Sequence, residues 1–230
     1  MVDVALFELE GVLFDTRDLR RAALREAMTA HGLDVPLDPE VVDGLTPRAA
    51  AQESLARAHT VWDHVLVDLV TLSAERSFSQ RLASSGAEIQ SGARALIENA
   101  ASRGRIAVVT RMRRVDADAM LRLAGLESVF TAMVCSDNVL EPKPSPVGYL
   151  SALTRLSGGR QRPLGPGSVL ALEDSLLGIR AARAAGLRCI AVGPLPAHVA
   201  LEADALVETL VGQTLRSLDI LSRPGGERVP

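Results

Sequence analysis

The chain has 230 residues, 47% of them apolar and 23% charged, and a net charge of −3. That composition suits one moderately large domain, or a core carrying a small insert. It excludes a basic nucleic-acid face and an acidic disordered arm, and no apolar run approaches the roughly 20 residues of a membrane span.

Taken in chain order, short continuously apolar runs predict buried parallel strands at Val4–Leu9, Ile106–Val109, Ala132–Cys135, Val169–Leu172 and Cys189–Val192, with a weaker one at Ala205–Val207. Helical periodicity falls between most of them, over Ala93–Ser102, Val115–Ala124, Val147–Leu156 and Leu177–Ala185. Strand alternating with helix predicts an α/β fold, a doubly wound parallel sheet with its strand C-termini along one ligand-binding edge. One region breaks the rhythm. Arg17–His31, Arg48–His59 and Val61–Ser84 read as helices with little strand signal between them. The chain is therefore divided into a core of residues 1–15 and 87–230 and an all-helical insert of residues 16–86. Arg223–Pro230 reads as a frayed tail.

Four strand or loop ends carry chemistry. The first strand runs into Glu8-Leu9-Glu10-Gly11, two acids at i and i+2 followed by a residue that lets the chain turn sharply. The second predicted core strand ends at Thr110, whose hydroxyl and following backbone N–H groups suit a phosphate oxygen, with Arg111 beside it. Lys143, the sole lysine in an arginine-rich chain, lies between Pro142 and Pro144, where a rigid loop can hold one ammonium against clustered acids or a phosphate. The fourth strand closes on Glu173 and Asp174, with Ser175 placed to cap the next helix and Gly178 to let it pack closely.

If those ends converge, Glu8, Glu10, Glu173 and Asp174 form a nest of four acids facing one lysine. Oxygen-only donors with room left for phosphate favour Mg²⁺ over zinc, and the four histidines follow no zinc-ligand spacing. The reaction class implied is metal-assisted phosphoryl transfer to a carboxylate.

These residues, in this order, resemble the four motifs of the haloacid dehalogenase superfamily: Glu-Leu-Glu-Gly-Val, then Thr110, then Lys143 before Pro144, then Glu-Asp-Ser followed by Gly178-Ile179 and an alanine-rich helix. The early helical insert resembles the cap of the phosphoglycolate phosphatase and β-phosphoglucomutase branch, and the likeness spans roughly Val4 to Val192. The resemblance implies that Glu8 attacks phosphorus and that Glu10 protonates the leaving group, activates water and binds Mg²⁺ through its carbonyl. It implies that Thr110 holds the transferring group, Lys143 steadies nucleophile and phosphate, and Asp174 with Glu173 binds the metal. Phosphate or substrate contacts are expected from Gly11, Thr110, Arg111 and Lys143, and from Arg48 in the cap.

The departure from the family pattern is glutamate-x-glutamate where the family has aspartate-x-aspartate. Each added methylene moves a carboxylate by roughly 1 Å, and a misplacement of that size can cost on the order of 100-fold in rate. The expected function is a Mg²⁺-dependent phosphatase acting on a small phosphorylated metabolite. The alternatives are an impaired relative that binds a phosphorylated ligand or partner, and a phosphomutase. The acidic second position argues against the dehalogenase branch. With one Trp, one Tyr and four Phe, the chain offers few stacking surfaces for an aromatic substrate. Asp3, Glu8 and Glu10 stand where a signal peptide would carry basic residues, so a cytoplasmic protein with free buried Cys135 and Cys189 is expected. No long amphipathic helix calls for a partner, and a monomer is expected.

Overall fold

The computed structural model describes residues 2–43, 45–58, 61–158 and 164–223. In chain order, β1 (Val4–Phe7) and β2 (Phe14–Asp15) precede four helices, α1 (Arg17–Ala30), α2 (Pro39–Val42), α3 (Pro47–Arg57) and α4 (His64–Ser85). Next come β3 (Glu88–Ile89), α5 (Ala93–Arg103), β4 (Ile106–Val109), α6 (Arg114–Leu123), β5 (Ala132–Val134) and α7 (Val147–Ser157). The chain continues through β6 (Val169–Glu173), α8 (Leu176–Ala184), β7 (Arg188–Val192), α9 (Ala197–Ala200), β8 (Ala205–Val207) and α10 (Leu215–Leu221). Its contacts divide it into two compact units, Met1–Asp15 with Glu88–Pro230, and Thr16–Ala87.

The first unit is built on a six-stranded parallel sheet in the order β5-β4-β1-β6-β7-β8. The central strands β1 and β4 are apolar at every position because both faces are covered. Val4 and Leu6 of β1 join Tyr149, Ala152 and Leu156 of α7 and Ile179 and Ala182 of α8 in one buried cluster. α5 packs against β1 as well, with Leu96 and Ile97 wholly buried. Phe7, at 0% exposure, alone contributes about 1.5–3 kcal/mol by leaving water.

Strand register decides which side chains meet at the C-terminal edge of the sheet. Phe7 pairs with Val108 on one side and Leu172 on the other. The next residue along each strand is Glu8, Val109 and Glu173, so Glu8 and Glu173 leave the sheet side by side, with Thr110 one step beyond Val109. The expected first strand, Val4–Leu9, stops two residues early, and the chain from Leu9 folds into a turn. In it the Gly11 N–H donates to the Phe14 carbonyl at 2.8 Å. β2 then pairs antiparallel with β3, Phe14 opposite Ile89 and Asp15 opposite Glu88. No sequence signal announces this two-stranded ribbon, because a two-residue strand leaves no periodicity to read.

The helical unit has its own core, with Leu24, Ala27 and Met28 of α1, Leu55 of α3, and Val67, Val70 and Ala74 of α4 packed together. Local signals fix the helix starts. Thr46 caps α3, its hydroxyl accepting from the Ala49 N–H at 3.2 Å, with Pro47 next in line. Asp63 caps α4, accepting from the Leu66 N–H at 2.8 Å. That cap corrects the expected start at Val61, which stands 97% exposed outside the helix. The expected end of the preceding helix at His59, and all of the expected tail beyond Arg223, lie outside the described residues. Among the described residues no helix is long and apolar enough to cross a membrane, and both cysteines are buried and free.

Candidate active site

Lys143 gathers the site. Its Nζ donates to Glu8 Oε2 at 2.7 Å, to the Val109 carbonyl at 2.9 Å, and to Glu173 Oε1. An ammonium has three N–H bonds, and here each has an acceptor within the protein. Its side chain is 6% exposed. Burial works against the charge, but the carboxylates of Glu173 and Glu8 and their hydrogen bonds outweigh it and hold Lys143 above the ordinary lysine value.

Glu8 is buried at 4% exposure. Its added methylene lets the carboxylate do two things at once. Oε2 meets Lys143, while Oε1 accepts the N–H of the next residue, Leu9, at 2.8 Å. Burial pushes the Glu8 carboxyl above the usual carboxylate range. Lys143 pulls it back, Glu173 pushes it up, and hydrogen bonds from Lys143 and Thr110 pull it down further. The Thr110 hydroxyl also accepts the Met112 N–H at 3.2 Å, so it is fixed between the turn and the acid.

Glu173 is wholly buried. Oε1 accepts from Lys143 and from the Tyr149 hydroxyl at 2.7 Å. Oε2 accepts from the Asp174 N–H at 3.2 Å and the Ser175 hydroxyl at 3.5 Å. A Cβ on Gly178 would lie 2.0 Å from the Glu173 carboxyl carbon, so glycine there is a condition of burying this acid. Asp174 is less enclosed and sits against Gly11, where a Cβ would come within 1.8 Å of Asp174 Oδ2. Gly11 also has φ +76°, the left-handed region that favours glycine. Desolvation raises the Asp174 carboxyl well above its ordinary value, Glu173 and Glu8 add to the rise, and Arg111 and Lys143 oppose it.

The structure thus brings together Glu8, Thr110, Lys143 and Glu173, with Asp174, Gly11 and the half-buried Arg111 beside them. Three of the four acids expected to converge, Glu8, Glu173 and Asp174, lie within electrostatic reach of one another. Lys143 claims Glu8 and Glu173, and Asp174 is left on the Gly11 side. Among the described residues no three His, Cys, Asp or Glu side chains are disposed to hold a metal ion. Glu10 is half-buried and its backbone bridges to Phe14. Arg48 belongs to the helical unit, where it pairs with Asp68. Sequence reasoning missed Tyr149. It is the chain's sole tyrosine, six residues beyond the sole lysine, and that rarity was the available signal.

The donor chemistry here fits Mg²⁺. Three buried or half-buried acids are opposed by Lys143 and the field of Arg111, and the Glu8 and Asp174 carboxyls are both pushed up, first by burial and then by the neighbouring acids. Mg²⁺ is commonly held by only one or two carboxylates together with phosphate oxygens and water, so three converging side chains are not required.

Residues 5–192 match the sequence model of the haloacid dehalogenase-like hydrolases. The protein CbbY of Cereibacter sphaeroides is 33% identical over 199 residues, covering 83% of this chain and 84% of that protein. Validoxylamine A 7'-phosphate phosphatase of Streptomyces hygroscopicus subsp. limoneus is 29% identical, covering 91% of this chain and 95% of that protein. The crystal structure of a CbbY variant from Rhodobacter sphaeroides, in complex with xylulose-(1,5)bisphosphate, superposes with a TM-score of 0.78 at 29% identity, covering 95% of this chain and 100% of that one. The chain belongs to the haloacid dehalogenase-like hydrolases, in their phosphohydrolase branch.

Proposed function

We propose that this protein is a Mg²⁺-dependent phosphatase that hydrolyses a small phosphorylated sugar through a carboxyl-phosphate on Glu8. The observation that carries the reading is the setting of Glu8: a buried carboxylate at the edge of a central strand, held by Lys143 and next to the Thr110 hydroxyl. The sugar class is supported by the xylulose bisphosphate in the CbbY structure.

In the first step a Glu8 oxygen attacks phosphorus, and the ester oxygen leaves with a proton from Glu10. In the second, Glu10 takes a proton from water, whose oxygen attacks phosphorus and returns Glu8 as a carboxylate. Lys143 keeps Glu8 ionised and aimed. Since its three donors already have acceptors, the direct phosphate contacts fall to Thr110, Arg111 and the backbone of the turn at Gly11. Leu9 N–H joins them once the phosphoryl group displaces Glu8 Oε1. Glu8, Asp174 and the Glu10 carbonyl would hold Mg²⁺. When bound, the ion would neutralise phosphate charge and steady the charge developing at phosphorus. Glu173, with each oxygen already accepting two hydrogen bonds, is assigned to Lys143 instead of the metal.

The test is phosphate release from a panel of sugar phosphates. Release that needs Mg²⁺, stops with EDTA and is lost in Glu8→Ala supports the reading. A fully folded protein that releases phosphate equally well in Glu8→Ala contradicts it.

A further inference from the structure

Tyr149 lies wholly buried at the start of α7, in the apolar cluster beneath the site. A buried phenol needs a hydrogen-bond partner, and core packing alone could have been met by phenylalanine. Here the partner is the acid that anchors Lys143. The hydroxyl donates to Glu173 Oε1, the oxygen that also receives the ammonium, and Lys143 Nζ stands 5.3 Å from the ring centroid. One side chain therefore sets both the carboxylate that holds the lysine and the aromatic surface next to it.

Donors and acceptors leave little freedom here. Glu173 takes two hydrogen bonds on each oxygen, so its plane has one orientation. With Glu173 fixed, its Oε1 and the Val109 carbonyl define one direction for the third Lys143 N–H, toward Glu8 Oε2. Without the Tyr149 hydroxyl, Oε1 loses its second donor. The carboxylate, then held by three donors instead of four, is less firmly oriented, and so is the ammonium.

We infer that Tyr149 is a positioning residue, which acts through Glu173 to fix the direction in which Lys143 addresses Glu8 without itself touching the substrate. The effect on turnover rests on the phosphatase reading, whereas the effect on Lys143 does not.

Because Lys143 is the chain's sole lysine, protein labelled with ¹⁵N-lysine carries a single side-chain ammonium resonance. That makes Tyr149→Phe directly testable. The variant keeps the ring and removes the hydroxyl. Its Nζ resonance is expected to shift, and its hydrogens to exchange faster with water than in the parent protein. With Mg²⁺ and a hydrolysed sugar phosphate, kcat is expected to fall about tenfold, the scale of one hydrogen bond to a charged group, with KM within about twofold. Leu156→Val trims the same helix within the same cluster but touches no polar group of the site. It is expected to lower thermal stability and leave both kcat and the ammonium resonance unchanged. A Tyr149→Phe protein whose resonance and exchange match the parent overturns the inference, as does a fall in kcat matched by Leu156→Val at equal loss of stability. If the parent protein hydrolyses no phosphoester, the phosphatase reading fails and the resonance still decides the role of Tyr149.

Discussion

Lys143 Nζ lies 2.7 Å from Glu8 Oε2, across 135 residues of sequence, and both side chains are almost fully withdrawn from water. Such a pair is more informative about function than about stability, since desolvation offsets most of its Coulomb attraction. Removing one partner is another matter. Lys143→Met leaves Glu8 and Glu173 side by side with no cation between them. It is expected to cost about 3–5 kcal/mol in denaturant unfolding near neutral pH and to abolish turnover. Lys143→Arg should not restore activity, because a planar fork cannot reproduce three donors from one nitrogen.

The longer acid at position 8 gives a second prediction. In this site glutamate reaches Lys143 while its other oxygen rests on the Leu9 N–H. Aspartate, the usual residue of the family, would withdraw the carboxylate by roughly 1 Å. Glu8→Asp is therefore expected to lower kcat on the order of 100-fold, measured as phosphate release at saturating substrate. A gain in rate would mean that the site is not built around glutamate.

Buried carboxyls make the metal-free protein sensitive to pH in a definite direction. Burial raises the folded-state pKa of Glu8 and of Asp174 above the unfolded value. A raised acid binds its proton more tightly in the folded state. It favours folding at pH below its folded value, and that advantage is lost as pH rises through it. Metal-free protein should therefore melt at a higher temperature in mildly acidic buffer than at neutral pH. Mg²⁺ should stabilise it most at neutral pH. Asp174→Asn should raise the neutral melting temperature without metal and remove the response to Mg²⁺.

A separate carboxylate behaves in the opposite sense. Asp219 on α10 accepts from Arg188 at 2.7 Å and Arg223 at 2.6 Å, ties in the Val2 N–H at 3.4 Å, and is lowered to about 2. Burial alone would raise it, and those hydrogen bonds overcome that. Its contribution is present above the unfolded value of about 4 and is lost as pH falls toward about 2. Asp219→Asn is expected to lose about 1–2 kcal/mol at neutral pH and to flatten the acid limb of the stability profile. The check is urea denaturation across that range.

Gly178 tests how tightly the buried acid is enclosed. Alanine there puts a methyl carbon 2.0 Å from the Glu173 carboxyl carbon. Gly178→Ala is expected to destabilise the protein by about 1–3 kcal/mol and to lower kcat, both read on the same preparation.

Much of the architecture is legible in the sequence because the fold's determinants are local. Val4, Ala5, Leu6 and Phe7 are apolar without alternation, as a strand covered on both faces must be, and Ile106–Val109 repeats the signal. Glu8, Thr110, Lys143 and Glu173 each stand just where such a strand or a proline-bounded loop ends. What the sequence hides is set by tertiary geometry. The ribbon of β2 and β3 is two residues long on each side, too short to show a period. The division of the acids depends on the reach of one lysine, which puts Glu173 with Lys143 and Tyr149 and leaves Asp174 beside Gly11. No spacing along the chain encodes that choice. Glu8 folding back on the Leu9 N–H results from side-chain length, which sequence gives, together with the local turn, which it does not.

That Glu8 carries the phosphoryl group during turnover is tested most directly by quenching a Mg²⁺-activated reaction in acid and locating the modification by peptide mass spectrometry. One phosphoryl group on Glu8, released by hydroxylamine and absent from Glu8→Gln, is the predicted result. Continued phosphate release with the label on Glu10, or with Glu8→Gln as active as the parent, would contradict it.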